Sequence, residues 1–152
     1  MLRIIACVIG ILACPITLAQ SVVSFPISSL EIDSGEKRHR FTIELAVTPE
    51  QKMRGLMFRK HLDPDKGMLF DYGSPQEISM WMKNTYIPLD MVFIDGKGQI
   101  AHIVERTIPM SEEYIGSDGF VRAVLELNGG TVSRLGIKLG DQVAHEIFGS
   151  LR

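Results

Sequence analysis

The 152-residue chain has only two cysteines, Cys7 and Cys14, and both fall within its first twenty residues. That stretch is laid out like a targeting segment. Met1-Leu2-Arg3 is a short basic start, Ile4 to Ile16 is an apolar run, and Thr17-Leu18-Ala19 places small residues where a signal peptidase reads. Cleavage after Ala19 is expected, and the remaining chain would carry no cysteine. Such a chain has no disulfide framework, no cysteine nucleophile and no cysteine metal site, which suits an oxidising compartment. Ile11-Leu12-Ala13-Cys14 loosely resembles a lipoprotein cleavage site, with bulky Leu12 and the following Pro15 against it. Lipidation at Cys14 is therefore the alternative to cleavage at Ala19. The apolar run is shorter than the roughly 20 residues that span a bilayer. A periplasmic or secreted protein without a membrane span is expected after cleavage.

Charge of a single sign is also missing. Residues 1–19 contain only Arg3 among charged side chains, so the 16 basic residues of the full chain become 15 against 18 acidic ones. A mildly acidic domain with scattered signs offers no footprint for nucleic acid or for an anionic membrane surface. Other signatures are lacking as well. No serine sits in a nucleophile elbow, and no two of His39, His61, His102 and His145 stand at ligand spacing. Gly129-Gly130 follows a strand and opens a short helix, where an anion could bind, but the wider phosphate-cradling fingerprint is absent. No resident cofactor or metal is expected.

What the chain does have is short strands. Residues 20–152 are long enough for one domain that folds without staples. Val22–Leu30, around Pro26, reads as an edge strand. Arg40–Val47 alternates, with Phe41, Ile43, Leu45 and Val47 on one face, as a half-buried strand does. Thr48-Pro49-Glu50-Gln51 is a capping-box helix start, and Gly55 is its natural stop. Met68–Phe70, Ile78–Met82, Leu89–Ile94, Gln99–Thr107, Val121–Leu127 and Gln142–Phe148 read as further strands. Asp95-Gly96-Lys97-Gly98 is a hairpin signal joining two of them. Tyr72–Pro75 reads as a turn and Pro109–Gly119 as a mobile loop. Asn128 is expected to cap a second short helix that ends at Gly136. The fold class predicted is α+β, mainly β: a small antiparallel barrel or curled sheet with two short helices.

Several motifs recur here in a familiar order. They are Phe41–Ala46, Arg54-Gly55-Leu56-Met57-Phe58-Arg59, Gly67–Phe70, Trp81-Met82-Lys83-Asn84-Thr85 with Pro88-Leu89-Asp90, Val124–Leu127 and Gly140-Asp141. On these residues the chain resembles the prokaryotic family known as domain of unknown function 192. The resemblance implies a compact β-rich domain, often exported or lipid-anchored, and no agreed biochemical activity.

The local chemistry concentrates at Ile78–Asp95. There a charge, an amide and a hydroxyl (Lys83, Asn84, Thr85) abut Trp81, the only tryptophan. The expected function is that of an exported envelope protein, a non-enzymatic module binding a small ligand or an envelope partner around Lys83–Thr85. Candidate residues are Arg54, Arg59, Trp81, Lys83, Asn84, Thr85, Asp90 and Glu126. Lysine and arginine would hold an anion while the short polar side chains orient it, which suits a carboxylated or sugar-like ligand. The same residues also have structural uses: short polar side chains fix turns, and arginines can pair with Asp90 or Glu126. Two alternatives stand beside this reading. Asp90 and Glu126 could act as acid and base in a hydrolase or lyase on envelope carbohydrate. Met80 and Met82 could carry Cu(I) through their thioethers if both reach the surface, although methionines also fill gaps in small cores. Leu56-Met57-Phe58 is either core or a contact patch.

Overall fold

The computed structural model describes residues 23–150. The targeting segment expected over 1–19, with both cysteines, lies outside the described residues. Seven strands form one sheet: β1 (Ile27–Ser34), β2 (Lys37–Ala46), β3 (Lys66–Met80), β4 (Leu89–Ile94), β5 (Ile100–Val104), β6 (Ile115–Asn128) and β7 (Gln142–Ala144). Two short helices, α1 (Pro49–Arg54) and α2 (Thr131–Leu135), lie between them. The strand order is β5-β4-β6-β3-β2-β1-β7. The sheet curls until its two edges touch: Gln99 bridges Gln142, Ile100 N–H donates to the Asp141 carbonyl at 2.9 Å, and Val143 N–H to that of Gly98 at 2.7 Å. The mainly β, curled architecture with two short helices is the one predicted. Among the described residues no helix is long and apolar enough to cross a membrane.

Strand alternation gives the sheet two buried faces. One gathers Leu30, Ile32, Phe41, Ile43, Leu69, Val92, Ile94, Leu125 and Leu127, with Val132 of α2 packed on it. The other gathers Phe70, Ile78, Leu89, Phe93 and Val124 with Met68, Met80, Met82 and Met91. These four thioethers pack together in that cluster, a gap-filling task suited to unbranched, flexible side chains. Because both faces are covered, every residue of β4 is buried.

One pairing is parallel. β2 runs alongside β3 with Ile43 opposite Gly67 and Leu45 opposite Leu69, and α1 forms part of the crossover. That helix starts as expected, with the Thr48 hydroxyl accepting from Gln51 N–H and the Gln51 side chain returning to the Thr48 N–H. Gly55 ends it at φ 44 with its Cα against Phe70: a Cβ there would lie 3.2 Å from the Phe70 ring.

Several local expectations change: β6 begins at Ile115, inside the loop expected over Pro109–Gly119, and β1 starts after Pro26 and lies between β2 and β7 instead of at an edge. Tyr72–Pro75 is not a break; β3 runs through it with a register shift between Asp71 and Gln76. Asn128 ends β6 and spends its side-chain amide on the Leu62 and Asp63 carbonyls at 2.6 and 3.0 Å. Gly130, in the left-handed region, stands at the start of α2 instead. The final strand stops at Ala144, where buried His145 turns the chain into a single 3-10 turn.

Candidate functional site

Glu126 sits in mid-β6, opposite Met68 of β3 and Met91 of β4, on the methionine-lined face. It is 4% exposed. Burial pushes its carboxyl up to about 8, and no charge or hydrogen bond on the described chain offsets that push. The carboxyl forms part of the lining of a cleft of about 90 Å³. One wall is the end of α1 and the following turn, through Lys52, Arg54, Gly55 and Met57. The other is the end of β3 and the joint beyond it, through Tyr72, Met80, Trp81 and Thr85. A liquid water occupies ~30 Å³, so the cleft admits a group of a few heavy atoms, such as a carboxylate or a hydroxymethyl.

The walls are chemically mixed. The Tyr72 hydroxyl donates to the Met80 thioether at 3.3 Å, and burial with the nearby Glu126 carboxyl pushes that phenol up to about 12. The Lys52 ammonium stands 4.5 Å from the centre of the Tyr72 ring, and the Arg54 guanidinium 4.9 Å from that of Phe58. Trp81 is 37% exposed. Its indole stacks on Tyr114, with centroids 6.2 Å apart and planes 9° from parallel.

Four of the sequence candidates therefore line one cleft: Arg54, Trp81, Thr85 and Glu126. The other four serve elsewhere. Lys83 lies 3.6 Å from Glu112 and 5.1 Å from the centre of the Trp81 ring. Asn84 takes a left-handed turn at φ 55, and its carbonyl accepts the Phe58 N–H at 2.8 Å. Arg59 makes a two-pronged pair with Glu44 at 2.9 and 2.5 Å. Asp90 is fully buried and accepts the N–H groups of Arg106, Gly130 and Val132.

Two of the alternatives meet a geometric obstacle. Asp90 pairs with Leu127 and Met91 with Glu126, so the two carboxylates point to opposite faces of the sheet and cannot flank one bond. Met80 and Met82 are 8% and 0% exposed, and the Met82 sulfur accepts the Thr107 hydroxyl at 3.1 Å. The pair does not reach the surface together. No group of three His, Cys, Asp or Glu is placed for a metal among the described residues. Of Leu56-Met57-Phe58, Leu56 is core and Phe58 is 46% exposed, packed edge-on to Tyr86.

Sequence reasoning missed Lys52, Tyr72 and Met57 as cleft residues. Tyr72 was masked by the turn-like Tyr-Gly-Ser-Pro, while Lys52 and Met57 reach the cleft through the crossover between parallel strands, which no local pattern announces. A larger hollow nearby is lined by Arg59 with Glu44 and by Asp63 with His61 and Lys66. Its charges already neutralise one another.

The family model DUF192, described as "Uncharacterized ACR", matches residues 30–145. The chain belongs to the DUF192 family. Two solved structures support this membership. One, from Sinorhizobium meliloti and provisionally described as a transcription regulator, is 45% identical, with a TM-score of 0.81 over 84% of this chain and 99% of that one. The other, a protein of unknown function from Novosphingobium aromaticivorans, is 36% identical, with a TM-score of 0.79 over 88% of this chain and 94% of that one. No curated protein matches the chain. In this DUF192 protein the cleft at Glu126 uses four of the motifs that carry the family likeness: Arg54–Arg59, Gly67–Phe70, Trp81–Thr85 and Val124–Leu127.

Proposed function

We propose that this DUF192 protein is an exported, periplasmic or secreted binding module whose ligand enters the cleft between α1 and Trp81. The observation that carries the reading is Glu126, a buried carboxyl that nothing on the described chain neutralises, placed where a small group can reach it. Native proteins rarely keep such a group without a use. At neutral pH the carboxyl holds its proton and can donate a hydrogen bond, while Lys52 and Arg54 supply positive charge at the rim. A ligand carboxylate or a sugar hydroxyl meets both needs, with Trp81 as a wall. The basic start and apolar run of residues 1–19 support export.

A regulatory role on DNA, which the provisional description of the Sinorhizobium meliloti relative would suggest, fits less well. The chain is net acidic, and helices of six and five residues offer little to lay in a major groove. Titration with glucuronate, which carries both a carboxylate and a sugar ring, tests the binding reading through Trp81 emission. Saturable change that Arg54→Ala weakens roughly tenfold (about 1.4 kcal/mol) is expected. Equal response from wild type and Arg54→Ala contradicts it.

A further inference from the structure

A second surface lies across the sheet from Glu126, where three segments converge on Asp90. The Asp90 carboxylate accepts Arg106 N–H at 2.9 Å, Gly130 N–H at 2.8 Å and Val132 N–H at 2.8 Å. These bonds tie the turn after β5 to the Gly-Gly turn before α2. Arg106 is held in the left-handed region at φ 50, a conformation that costs energy for a residue with a side chain. Its guanidinium lies flat against Gly130, where a Cβ would stand 3.1 Å from the nearest guanidinium nitrogen. The close approach depends on glycine.

Arg106 and Arg134 line one open hollow of about 500 Å³, together with Asn128 and Thr131. The arginines of the described chain differ sharply in their partners. Arg38, Arg40, Arg59 and Arg122 each pair with a carboxylate, and Arg54 stacks on Phe58. Among the described residues, neither Arg106 nor Arg134 has a carboxylate within 4.0 Å or an aromatic ring beneath it. On a chain with more acidic than basic residues, two arginines without a carboxylate partner among the described residues, both lining one hollow, stand out. One of them is fixed in a strained turn by a buried carboxylate. Planar forks of this kind grip oxyanions two-pronged.

We infer that the Arg106–Arg134 hollow is a second binding site, which takes a small oxyanion group, a phosphate or a carboxylate. Asp90 is its positioning residue. The buried carboxylate never meets the ligand; it sets the backbone from which Arg106 projects.

The test is a titration of the full chain with inorganic phosphate, and separately with acetate, at constant ionic strength, followed by the amide NMR signals of Gly129, Gly130 and Thr131. Saturable shifts at these residues, separate from any at the cleft, are expected with at least one anion. Preference for phosphate would mark a phosphorylated ligand, and preference for acetate a carboxylated one. Arg134→Ala, at an exposed position whose side chain takes no part in the Asp90 bonds, should weaken binding roughly tenfold without moving the thermal midpoint. Arg106→Lys keeps the charge and loses the fork, and should weaken it several-fold. Non-saturating shifts spread over the surface with both anions, or unchanged affinity in Arg134→Ala and Arg106→Lys, would overturn the assignment. Neither result touches the cleft at Glu126, whose amide signals report on it separately.

Discussion

Asp90 and Glu126 occupy neighbouring strands, one residue out of step, and face opposite sides of the same sheet. The offset gives two carboxyl groups opposite fates. Asp90 is satisfied by three backbone N–H groups and acts as a knot between turns. Glu126 is satisfied by nothing on the described chain and opens onto a cleft. The first holds the architecture, and the second lines a cleft.

Removing the knot should be costly. Asp90→Ala orphans the N–H groups of Arg106, Gly130 and Val132 inside the protein, a loss on the order of 3–5 kcal/mol. Urea unfolding checks this: the midpoint should fall steeply while Trp81 emission of the folded baseline stays unchanged. A loss under about 1 kcal/mol would show that water replaces the carboxylate.

Glu126 predicts a pH dependence with a definite sign. Its folded carboxyl titrates at about 8, against 4.5 as the ordinary value. Between those values the folded protein holds a proton that the unfolded chain has released, so stability falls as pH rises. The slope reaches at most about 1.4 kcal/mol per pH unit. Glu126→Gln removes this titration and leaves that of His145, whose ring burial pushes down. The difference between the two proteins therefore isolates Glu126. Denaturant unfolding from pH 5 to 9 should show the variant gaining on wild type as pH rises. Parallel profiles would mean that the folded carboxyl ionises as it does in the unfolded chain.

Gly67 of β3 lies at a tight point of the sheet, between β2 and β6. A Cβ there would stand 2.6 Å from the Glu126 carbonyl oxygen and 2.8 Å from the Leu127 side chain. Backbone cannot yield as a side chain can, so Gly67→Ala should destabilise by about 1–3 kcal/mol. Chemical denaturation measures it, and a neutral result would mean that β3 shifts in register.

Lys83 was attractive in sequence because it adjoins Trp81. Its pairing with Glu112 is largely solvent-exposed, so Lys83→Ala should change stability by less than about 0.5 kcal/mol. It should nonetheless shift Trp81 emission, since the ammonium stands near the indole ring. An unshifted spectrum would show that the contact is not held in solution.

The fold was legible where the chemistry is local. Thr48 to Gln51 announced α1 because a capping box needs only four residues. The Asp95–Gly98 turn announced the β4–β5 hairpin for the same reason. The parallel pairing of β2 with β3 left no such mark, because its partners are twenty or more residues apart and α1 is too short to announce a crossover. The site was half legible. Trp81, Thr85, Arg54 and Glu126 stood out by residue type, yet nothing in the sequence separated the satisfied carboxylate at 90 from the unsatisfied one at 126. That distinction depends on strand register, where one residue reverses the face.

Ligand entry at Glu126 can be mapped by amide NMR, with the full chain exposed in turn to a panel of small carboxylates and neutral sugars. At least one compound is expected to shift Gly55, Met57, Trp81 and Thr85 as one group, with an affinity that Glu126→Gln alters. A cleft left unperturbed by the whole panel would contradict the binding reading, whatever the panel does at the Arg106–Arg134 hollow.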